Sequence, residues 1–569
     1  MVMKDWRYRK ENIQAAERIS AELNCGRLAG RLLAARGILT TSEAYDFLNP
    51  NLRSLNDPFL MEEMERAVER IAKTIKEGGK ILVHGDYDAD GITSTALMVK
   101  ALTSTMGEDR VEHFLPSRYG EGYGISSDRI HKAGRDGVDL IITVDCGIKA
   151  HDAALETKDL DIDLIITDHH ESGETLPEAY CILDPKIEDS GYPFPELAGV
   201  GVAFKLALAL QQRDLLLMDA RDLLDLVALG TVADLVPLVG ENRILVKYGL
   251  EKLKDTKSPG LISLMTESGI DIARGPSATD IAFKLGPRIN SAGRMGDPDM
   301  ALELLLTRDR VDADLFAREL NTLNFKRKAV GSKLVQEIKL AIEETGAGED
   351  PFIITYGRGW NPGVLGITAN KIMESAARPV AVLSLEEETA RGSIRAPAGY
   401  NLMPALEQVG SLLMEYGGHE KAAGITLRSE NIEEVRKKLN EYTMDIYPDL
   451  SFVPTLDIDM DLSLEEIDTV ELEHIERLQP FGTDNPSPII SIRDAMIGSG
   501  SRTVGDGRHL KFCVEEGPSS IDCIYFNGGE FHDQLRPGML VSIAGEPSIH
   551  RWRGRETLQL RVVDIRIDE

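Results

Sequence analysis

The chain has 569 residues, 42% of them hydrophobic and 28% charged, which excludes a small disulfide-bonded scaffold and allows several globular domains. A formal net charge of −30 disfavours indiscriminate adhesion to nucleic acid or anionic membranes, although a few arginines and bound cations can make one channel locally positive. Five cysteines without a CxxC spacing argue against a disulfide framework and a thiolate zinc site. Without a long apolar stretch or a signal-like start, the sequence predicts a cytoplasmic protein with no membrane partner.

The first predicted elements are helices, followed by alternating strands and helices. Apolar residues at three- and four-residue spacing predict helices in AAERISAELN, GRLAGRLLAARG and the run from Met61 to Glu77, so residues 1–70 form an N-terminal helical segment. From Lys80, short β-branched runs alternate with helical stretches: KILVHG, VEHFLP, DLIITVDCG, DLIITDHH and YCILDP. This texture is typical of a parallel α/β sheet, which we assign to residues 71–307.

A long helical pattern over residues 308–344 predicts a connector helix. The strands PFIITYG and PVAVLSL and several Gly-rich stretches then predict a second α/β domain over residues 345–455. Short alternating strands separated by Gly, Pro and Asp predict a β-barrel over residues 456–569. The predicted fold class is therefore α/β, with a parallel-sheet domain and a second α/β domain joined by a long helix and followed by a barrel.

Acidic residues and histidines follow the strands of the first α/β domain, where ligands bind in parallel sheets. They are His84, Asp86, Asp88 and Asp90 after one strand, Asp145 after another, and Asp168, His169 and His170 after a third. Alternate residues of an extended loop point the same way, so we expect the first three carboxylates to converge, with Gly91 allowing a tight turn. The shared lead-in IIT places Asp145 and the histidine pair at comparable heights.

Each of these residues alone has an ordinary explanation, because a loop Asp before a helix is most often an N-cap and a histidine pair can simply be solvated. Asp234, isolated in the apolar GTVADLVPL, needs a partner or caps a helix. Together, carboxylates and imidazoles predict two ions of Mn²⁺ or Mg²⁺, about 3.5–4 Å apart, and phosphoester hydrolysis. The sequence contains neither GxxxxGK[ST] nor a Rossmann fingerprint.

These residues, in this order, resemble the DHH phosphoesterase superfamily, named for the motif formed here by Asp168, His169 and His170. Further motifs are similar to its RecJ family of single-strand-specific exonucleases: HGDYDADGITS, LPSRYGEGYG, TVDCG, GTVADLVPL, LGPRINSAGR, GWNPGVLGI, YGGHEKAAG and LQPFGTDNPSP. The resemblance covers nearly the whole chain. It implies a 5′ to 3′ exonuclease that releases mononucleotides from single-stranded DNA in recombination and repair, with a DHH-associated (DHHA1) substrate-binding domain and an OB-like barrel.

The resemblance also implies a role for each motif residue. One metal ion would be held by His84 and Asp88, the other by Asp90, His169 and Asp234, and Asp145 would bridge them. Asp86 and His170 would be catalytic, with His170 touching the scissile phosphate. Substrate-binding residues would be Arg118, Arg288, Asn290, Arg294, Ser393, Arg395, Gly417, Gly418 and His419. These contacts depend on the resemblance, since a lone arginine is usually solvated and Gly-Gly before His is commonly a turn.

The chain departs from the family pattern at two positions. Family members often have histidine where this chain has Asn361, which can donate a hydrogen bond but carries no charge, so we expect a weaker phosphate contact. Asp484 replaces a usual glycine and tolerates left-handed geometry better than most residues. The basic run from His550 to Arg555 could be a strand-binding edge of the barrel or merely a charged hairpin.

Two other functions stay open. A phosphodiesterase for short RNA or other small substrates would share the site, but it needs neither a barrel nor extended strand contacts. A replisome helicase partner with weak or no nuclease activity would be free to lose the metal ligands, all of which are present. Single-stranded DNA is the expected partner, with single-strand-binding protein, a helicase or replisome proteins as candidate docking partners, and the self-contained domain set predicts a monomer.

Overall fold

The structure is a computed structural model that describes residues 4–117, 124–448, 452–552 and 555–567. The chain divides into two compact units. The larger comprises Tyr8–Asn321 and Asp457–Glu569, and the smaller comprises Met1–Arg7 and Thr322–Leu456. No described helix combines the length and the apolar character that a membrane crossing requires.

Helices dominate the N-terminal part of the chain, as the apolar periodicity predicts. The elements are β1 (Asp5–Tyr8), α1 (Ile13–Leu23), α2 (Arg27–Ala35), α3 (Thr41–Leu48) and α4 (Met64–Glu77). A capping box between Thr40 and Glu43 starts α3, because each side chain accepts a backbone N–H of the other residue. Gly78, in left-handed geometry, ends α4.

The first α/β domain contains the predicted parallel sheet. Its strands are β2 (Ile81–His84), β3 (Val111–Phe114), β4 (Leu140–Val144), β5 (Asp163–Thr167) and β6 (Cys181–Leu183). They lie in the order β3-β2-β4-β5-β6, and all neighbours are parallel. Val144 pairs with Thr167, and Thr167 pairs with Leu183. The residues that follow these three strands therefore emerge side by side, which confirms the predicted common height of Asp145 and the histidine pair.

Helices follow the strands of this sheet. They are α5 (Ala89–Met106), α6 (Ser127–Arg135), α7 (His151–Asp159), α8 (Gly199–Gln212), α9 (Leu224–Ala233), α10 (Gly240–Lys254), α11 (Pro259–Glu267), α12 (Ala278–Asp280), α13 (Gly286–Met295) and α14 (Asp299–Leu306). A π-helix over Ile281–Leu285 joins α12 to α13. Helices α5, α8 and α9 are buried on nearly every side, as expected of helices that are apolar all round.

The predicted connector is α15 (Arg310–Thr345), which leads into the smaller unit. That unit contains β7 (Ile353–Arg358), α16 (Pro362–Ala376), β8 (Val380–Glu386), β9 (Thr389–Arg395), α17 (Leu402–Val409), β10 (Leu413–His419), β11 (Ala422–Arg428) and α18 (Ile432–Ile446). The sheet order is β10-β11-β9-β8-β7, and of these neighbours β7 and β8 run parallel. The Gly-rich RGSIR and YGGH lie in β9 and β10, so the explanation of YGGH as a simple turn is wrong.

The C-terminal strands form the predicted barrel as a partly closed sheet. The elements are β12 (Thr455–Ile458), β13 (Met460–Asp461), α19 (Thr469–Glu476), β14 (Ile490–Ile497), β15 (Arg502–Val504), β16 (His509–Glu516), β17 (Ser519–Tyr525), β18 (Leu540–Trp552) and β19 (Arg555–Ile567). From β13 onward the strand order is β13-β14-β18-β19-β17-β16-β15, and β14 also pairs with β16. Strands β18 and β19 pair antiparallel, and Arg553 and Gly554 of the basic run fall outside the described residues.

The N-terminal helices and the C-terminal sheet share one hydrophobic core. Buried side chains of α1 and α2, such as Ile19, Leu28 and Leu32, cluster with strand residues such as Ile492 and Ile543. Apolar burial of this kind contributes about 25 cal/mol per Å². The two ends of the larger unit therefore stabilise each other, although they are far apart in sequence.

Arg243 of α10 holds these two ends together. The fully buried guanidinium donates to the carbonyl of Phe47 (2.9 Å), to that of Leu478 (2.8 Å) and to that of Gln479 (2.9 Å). It also lies 3.8 Å from the centroid of the Phe47 ring. Burial, and then the charge of Arg36, lower the pKa of Arg243 to about 9.

We predict that Arg243→Met lowers the free energy of unfolding of the larger unit by about 2–4 kcal/mol, because it leaves buried carbonyls without a donor. Thermal unfolding and limited proteolysis around residues 478–485 measure this. The matched control is Arg221→Met, whose exposed side chain bonds Asp219 and should change stability by less than about 0.5 kcal/mol. Equal stability of both variants would contradict the role of Arg243.

Candidate metal centre

The loop between β2 and α5 carries Asp86 and Asp88. Asp88 is the N-cap of α5, and its Oδ1 accepts the backbone N–H of Asp90 (2.9 Å) and of Gly91 (3.1 Å), as expected of an Asp before a helix. Gly91 lies inside the first turn of α5, so the prediction of a tight turn there is wrong. A Cβ on Gly91 would lie 2.6 Å from the backbone of Asp86, and close packing of the helix on this loop therefore requires glycine.

Asp90 lies at the start of a helix, whereas Asp86 and Asp88 precede that helix. It belongs to the first turn of α5, and its side chain accepts the N–H of Gly199 (2.7 Å) and of Val200 (2.9 Å) at the start of α8. Burial, and then the charge of Asp88, raise the pKa of Asp90 to about 7, although both amide bonds oppose the rise. The three carboxylates do converge, since the charges of all three act on Asp145, but they do not come from one extended loop, because the helix begins before Asp90. The sequence analysis did not identify the backbone N–H groups of Gly199 and Val200 as partners of a carboxylate. The signal available was GVGV at the start of a helix, where free N–H groups attract negative charge.

Asp145 follows β4 in left-handed geometry, with φ 61°. Its backbone N–H donates to the carbonyl of Thr167 (3.0 Å), and its Oδ1 lies 3.2 Å from Nε2 of His169. Burial raises the pKa of Asp145 well above its usual value, and the charges of neighbouring carboxylates, led by Asp90, add to the rise. A Cβ on Gly199 would lie 2.4 Å from Oδ1 of Asp145, so the carboxylate lies against a glycine.

Asp168 fixes the orientation of the His170 ring. Its Oδ2 accepts the N–H of Ile148 (2.9 Å), and its Oδ1 accepts the N–H of His169 (2.8 Å) and lies 2.7 Å from Nδ1 of His170. Burial alone would lower the pKa of His170, but the bond to Asp168 and its charge raise it to about 9. His170, 44% exposed, is therefore an imidazolium at neutral pH.

In the part of the chain that the structure describes, three groups of side chains place their ligand atoms within 4.8 Å of one another: Asp86, Asp88 and Asp145; Asp90, His169 and Asp234; and Asp145, His169 and His170. The second group is the set that the resemblance implies for one ion. Asp145 belongs to the first and third groups, so it touches both sides of the cluster. Asp234 is the C-cap residue of α9 as well as a member of the cluster.

His84 lies outside these groups within the described residues. Its buried ring stacks on Phe114 with 5.4 Å between centroids, and its Nε2 lies 3.3 Å from the carbonyl oxygen of Gly124. Burial lowers the pKa of His84 to about 4, so the ring is neutral. The side chain that groups with Asp88 and Asp145 is Asp86.

The cluster fits a pair of divalent cations. Among the described residues, Oδ1 of Asp145, Nε2 of His169 and Nδ1 of His84 are buried and make no hydrogen bond. Burial lowers the pKa of His169 to about 3, which keeps the imidazole in the neutral form that binds metals. Carboxylates that repel one another without a cation are stabilised by one. Oxygen donors with a few imidazoles suit Mn²⁺ and Mg²⁺.

The predicted strand contacts of the larger unit lie in α13. Oδ1 of Asn290 accepts the N–H of Ala89 (2.8 Å), so Asn290 positions the start of α5. Arg288 is 9% exposed and donates from Nε to Asn321 (3.0 Å). Arg294 lies half-buried in the last turn of α13. The structure therefore brings Asn290 to the helix start that follows the loop of Asp86 and Asp88. Part of the Arg288 guanidinium is occupied by its hydrogen bond to Asn321.

The other predicted contacts lie in the smaller unit. Ser393 and Arg395 share one face of β9, because a Cβ on Gly366 of α16 would lie 3.5 Å from the first and 2.7 Å from the second. Gly417, Gly418 and His419 lie at the exposed end of the edge strand β10. Arg118 falls outside the described residues.

Asn361 and Asp484 have local roles in the backbone. Oδ1 of Asn361 accepts the N–H of Gly363 (2.8 Å) and caps α16, so this side chain acts there as an acceptor. Asp484 has φ 57°, which confirms the expected left-handed geometry.

The chain matches three known domain families. Residues 80–231 match the DHH family N-terminal domain, residues 349–445 match the DHHA1 domain, and residues 458–564 match the RecJ OB domain. These ranges correspond to the parallel-sheet domain, the smaller unit and the partly closed sheet.

Relatives resemble the chain along nearly its whole length. It is 38% identical over 566 residues to the single-stranded-DNA-specific exonuclease RecJ of Bacillus subtilis, covering 99% of this chain and 71% of the relative. It is 35% identical over 556 residues to the protein of the same name from Dickeya dadantii, covering 94% and 95%.

The fold is similar to that of RecJ from Thermus thermophilus solved with Mn²⁺. The TM-score is 0.84 at 29% identity, with 99% of this chain and 80% of that chain covered. The same protein solved with Mg²⁺ matches with a TM-score of 0.77.

We predict that Asp145→Asn raises the melting temperature of the metal-free protein, because it removes one of several buried carboxylates that repel one another. The same variant should lose most of the thermal stabilisation that Mn²⁺ gives the unchanged protein, which is about 2.7 kcal/mol at 100 times the Kd. Scanning calorimetry with EDTA and with Mn²⁺ measures both effects. The control is Asp139→Asn, a carboxylate outside the cluster that bonds the N–H of Lys80. An unchanged response of Asp145→Asn to Mn²⁺ would contradict the ligand assignment.

Proposed function

The chain belongs to the RecJ family of single-stranded-DNA-specific exonucleases, and from this premise we propose that it hydrolyses single-stranded DNA from the 5′ end and releases mononucleotides in recombination and repair. The observation that carries the proposal is the group of buried carboxylates and imidazoles at the strand ends of the parallel sheet. Carboxylates and imidazoles of this kind bind the divalent cations that catalyse phosphodiester hydrolysis in two-metal sites.

We propose that Asp90, His169 and Asp234 hold one ion, that Asp88 and His84 hold the other, and that Asp145 is shared. The 4.8 Å grouping of ligand atoms supports the first set and the sharing of Asp145. The unpartnered buried Nδ1 supports the inclusion of His84. When bound, the cations supply Lewis acidity and a nucleophile at neutral pH.

The residues around the ions orient and stabilise the reacting phosphate. Asp168 fixes the ring of His170 and keeps it protonated, so His170 can donate from Nε2 to a phosphate oxygen whose charge grows in the transition state. Asp86 lies buried beside Asp88 and Asp145, where it adds negative charge that favours cation binding. Asn290 positions the loop by fixing the start of α5.

Each unit contains residues that are candidates for contact with a DNA strand. In the larger unit these are Arg118, Arg288 and Arg294, and the partly closed sheet adds the antiparallel strands β18 and β19. In the smaller unit, Gly417, Gly418 and His419 end an edge strand whose outer backbone groups are available for a phosphate, and Ser393 and Arg395 lie together on β9. A substrate held by so many contacts is a strand and not a small molecule, which favours this function over a short-substrate phosphodiesterase.

We also propose that the enzyme acts as a cytoplasmic monomer, because one chain contains both the metal ligands and all the candidate strand contacts. Single-strand-binding protein, a helicase or other replisome proteins would then bring it to its substrate without completing its site.

The test is digestion of one DNA oligonucleotide, labelled at the 5′ or the 3′ end, single-stranded or paired, with Mn²⁺ or EDTA. We expect immediate release of the 5′ label as mononucleotide from the single strand only, and only with metal. The variant Asp145→Ala should lower kcat by more than 1,000-fold, roughly the loss expected when a shared ligand of a two-metal site is removed. Loss of the 3′ label first would overturn the polarity, and absence of cleavage would overturn the function.

We predict that His419→Ala raises KM about five- to tenfold with little change in kcat, because an exposed donor at the end of β10 contributes to strand capture. Steady-state digestion of the labelled single strand measures this. His532→Ala is the matched control, since it removes another partly exposed histidine. A fall in kcat at unchanged KM would show that His419 acts in chemistry and not in capture.

A further inference from the structure

An uncharged pocket is lined by the residue that follows a candidate metal ligand. It has a volume of about 220 Å³, and its walls include Leu235, Leu238, Phe283, Phe481 and Thr483. None of the described residues that line it carries a charge, in a chain in which 28% of residues do. Leu235 follows Asp234 immediately, so the pocket begins one residue away from a candidate metal ligand.

Leu235 is held in strained geometry with its side chain in water. It follows the C-cap of α9 with φ 64°, a position that usually belongs to glycine, and it is 64% exposed. A non-glycine residue in this conformation destabilises the fold, and such strain persists mostly at functional sites. An apolar side chain that is mostly exposed gains little free energy from folding, so contact with a bound group would explain why leucine stands at this position.

Phe283 projects from the π-helix on another wall of the pocket. It is 74% exposed, while Ile281 and Leu285 on either side of it are buried. Nη1 of Arg288 donates to the carbonyl of Lys284 (2.7 Å), which holds the irregular turn in place. A rare π-helix, supported by a buried arginine, therefore presents an aromatic ring to solvent at this pocket.

The remaining wall comes from the FGTDNP motif. The N–H of Leu238 donates to the carbonyl of Thr483 (2.8 Å), and a Cβ on Gly482 would lie 2.6 Å from the Leu238 side chain. Asp484 then turns the chain in left-handed geometry. The loop is thereby fixed against the segment that follows Asp234, and Phe481 is held at the pocket.

We propose that this pocket is a stacking subsite that takes one nucleobase of the substrate strand beside the scissile phosphate. The inference rests on the proposed function. An uncharged, largely apolar lining complements the face of a base and repels neither base nor phosphate, while a phosphate would need cations that the lining lacks. Its side-chain polar groups are the hydroxyls of Thr279, Thr483 and Ser487, which can donate or accept a hydrogen bond, so the lining does not select one base.

The test measures binding of a single-stranded oligonucleotide in EDTA, so that the strand is not cut. Phe283→Ala should weaken binding about five- to 100-fold, the range found when a base loses an aromatic stacking partner. Phe283→Trp should keep the affinity. Tyr45→Ala removes an aromatic ring that is 56% exposed elsewhere in the larger unit and should leave binding unchanged.

A series of oligonucleotides with one abasic position identifies the ligand of the pocket. For the unchanged protein, one abasic position near the 5′ end should weaken binding, and for Phe283→Ala the same position should have no further effect. If both proteins respond equally to every abasic position, the pocket does not hold a base. A Phe283→Ala protein with unchanged DNA affinity would equally overturn the inference, and the pocket would then fit an apolar peptide of a partner better.

Leu235→Gly supplies a second variant that is not at risk of misfolding, because glycine relieves the positive φ. It should melt at the same or a higher temperature, respond to Mn²⁺ as the unchanged protein does, and bind the strand more weakly. Digestion of the labelled single strand by the unchanged protein separates the two claims. Without cleavage the proposed function fails, whereas cleavage together with normal DNA binding by Phe283→Ala and Leu235→Gly overturns only the stacking subsite.

Discussion

The repulsion among buried carboxylates at one edge of the parallel sheet is the constraint on which the rest of the structure depends. Burial raises the pKa values of Asp145 and Asp234 well above their usual range, and the neighbouring carboxylate charges add to the rise. A fold that gathers such groups is stabilised by bound cations. The cluster therefore destabilises the metal-free protein, and bound cations would relieve the repulsion among its carboxylates.

The surrounding elements keep this costly arrangement in place. The start of α8 donates two backbone N–H groups to Asp90. Asp168 accepts backbone N–H groups of Ile148 and His169 and also bonds the ring of His170. Glycines at Gly91 and Gly199 allow backbone and carboxylates to approach more closely than a Cβ would permit. Arg243 contributes at longer range, because it joins the N-terminal helices to the linker that leads to the partly closed sheet. The same linker then supplies Phe481 to the pocket beside Asp234.

Strong local signals made much of this fold predictable from the sequence. Buried β-branched strands and the long apolar period of α15 each depend on residues close together in sequence, and the shared IIT lead-in placed Asp145 and the histidine pair at one height. The orientation of Asp90 was not predictable in this way, because it depends on where α5 begins and on amides of α8 that lie more than a hundred residues later. The shared core of the N-terminal helices and the C-terminal sheet is missed for the same reason, since nothing local to either segment identifies its partner. The stacking pocket combines a strained leucine, a π-helix and a distant loop, and only the three-dimensional arrangement brings them together.

The most direct test of the central claim is a crystal of the protein soaked in Mn²⁺, with anomalous difference maps recorded at the manganese edge. The account predicts two peaks in the cluster, one among Asp90, His169 and Asp234 and one beside Asp88, with a carboxylate oxygen of Asp145 within bonding distance of both. A single peak, or two peaks that do not share Asp145, would contradict it, because the buried carboxylates would then need an explanation other than a pair of bridged cations.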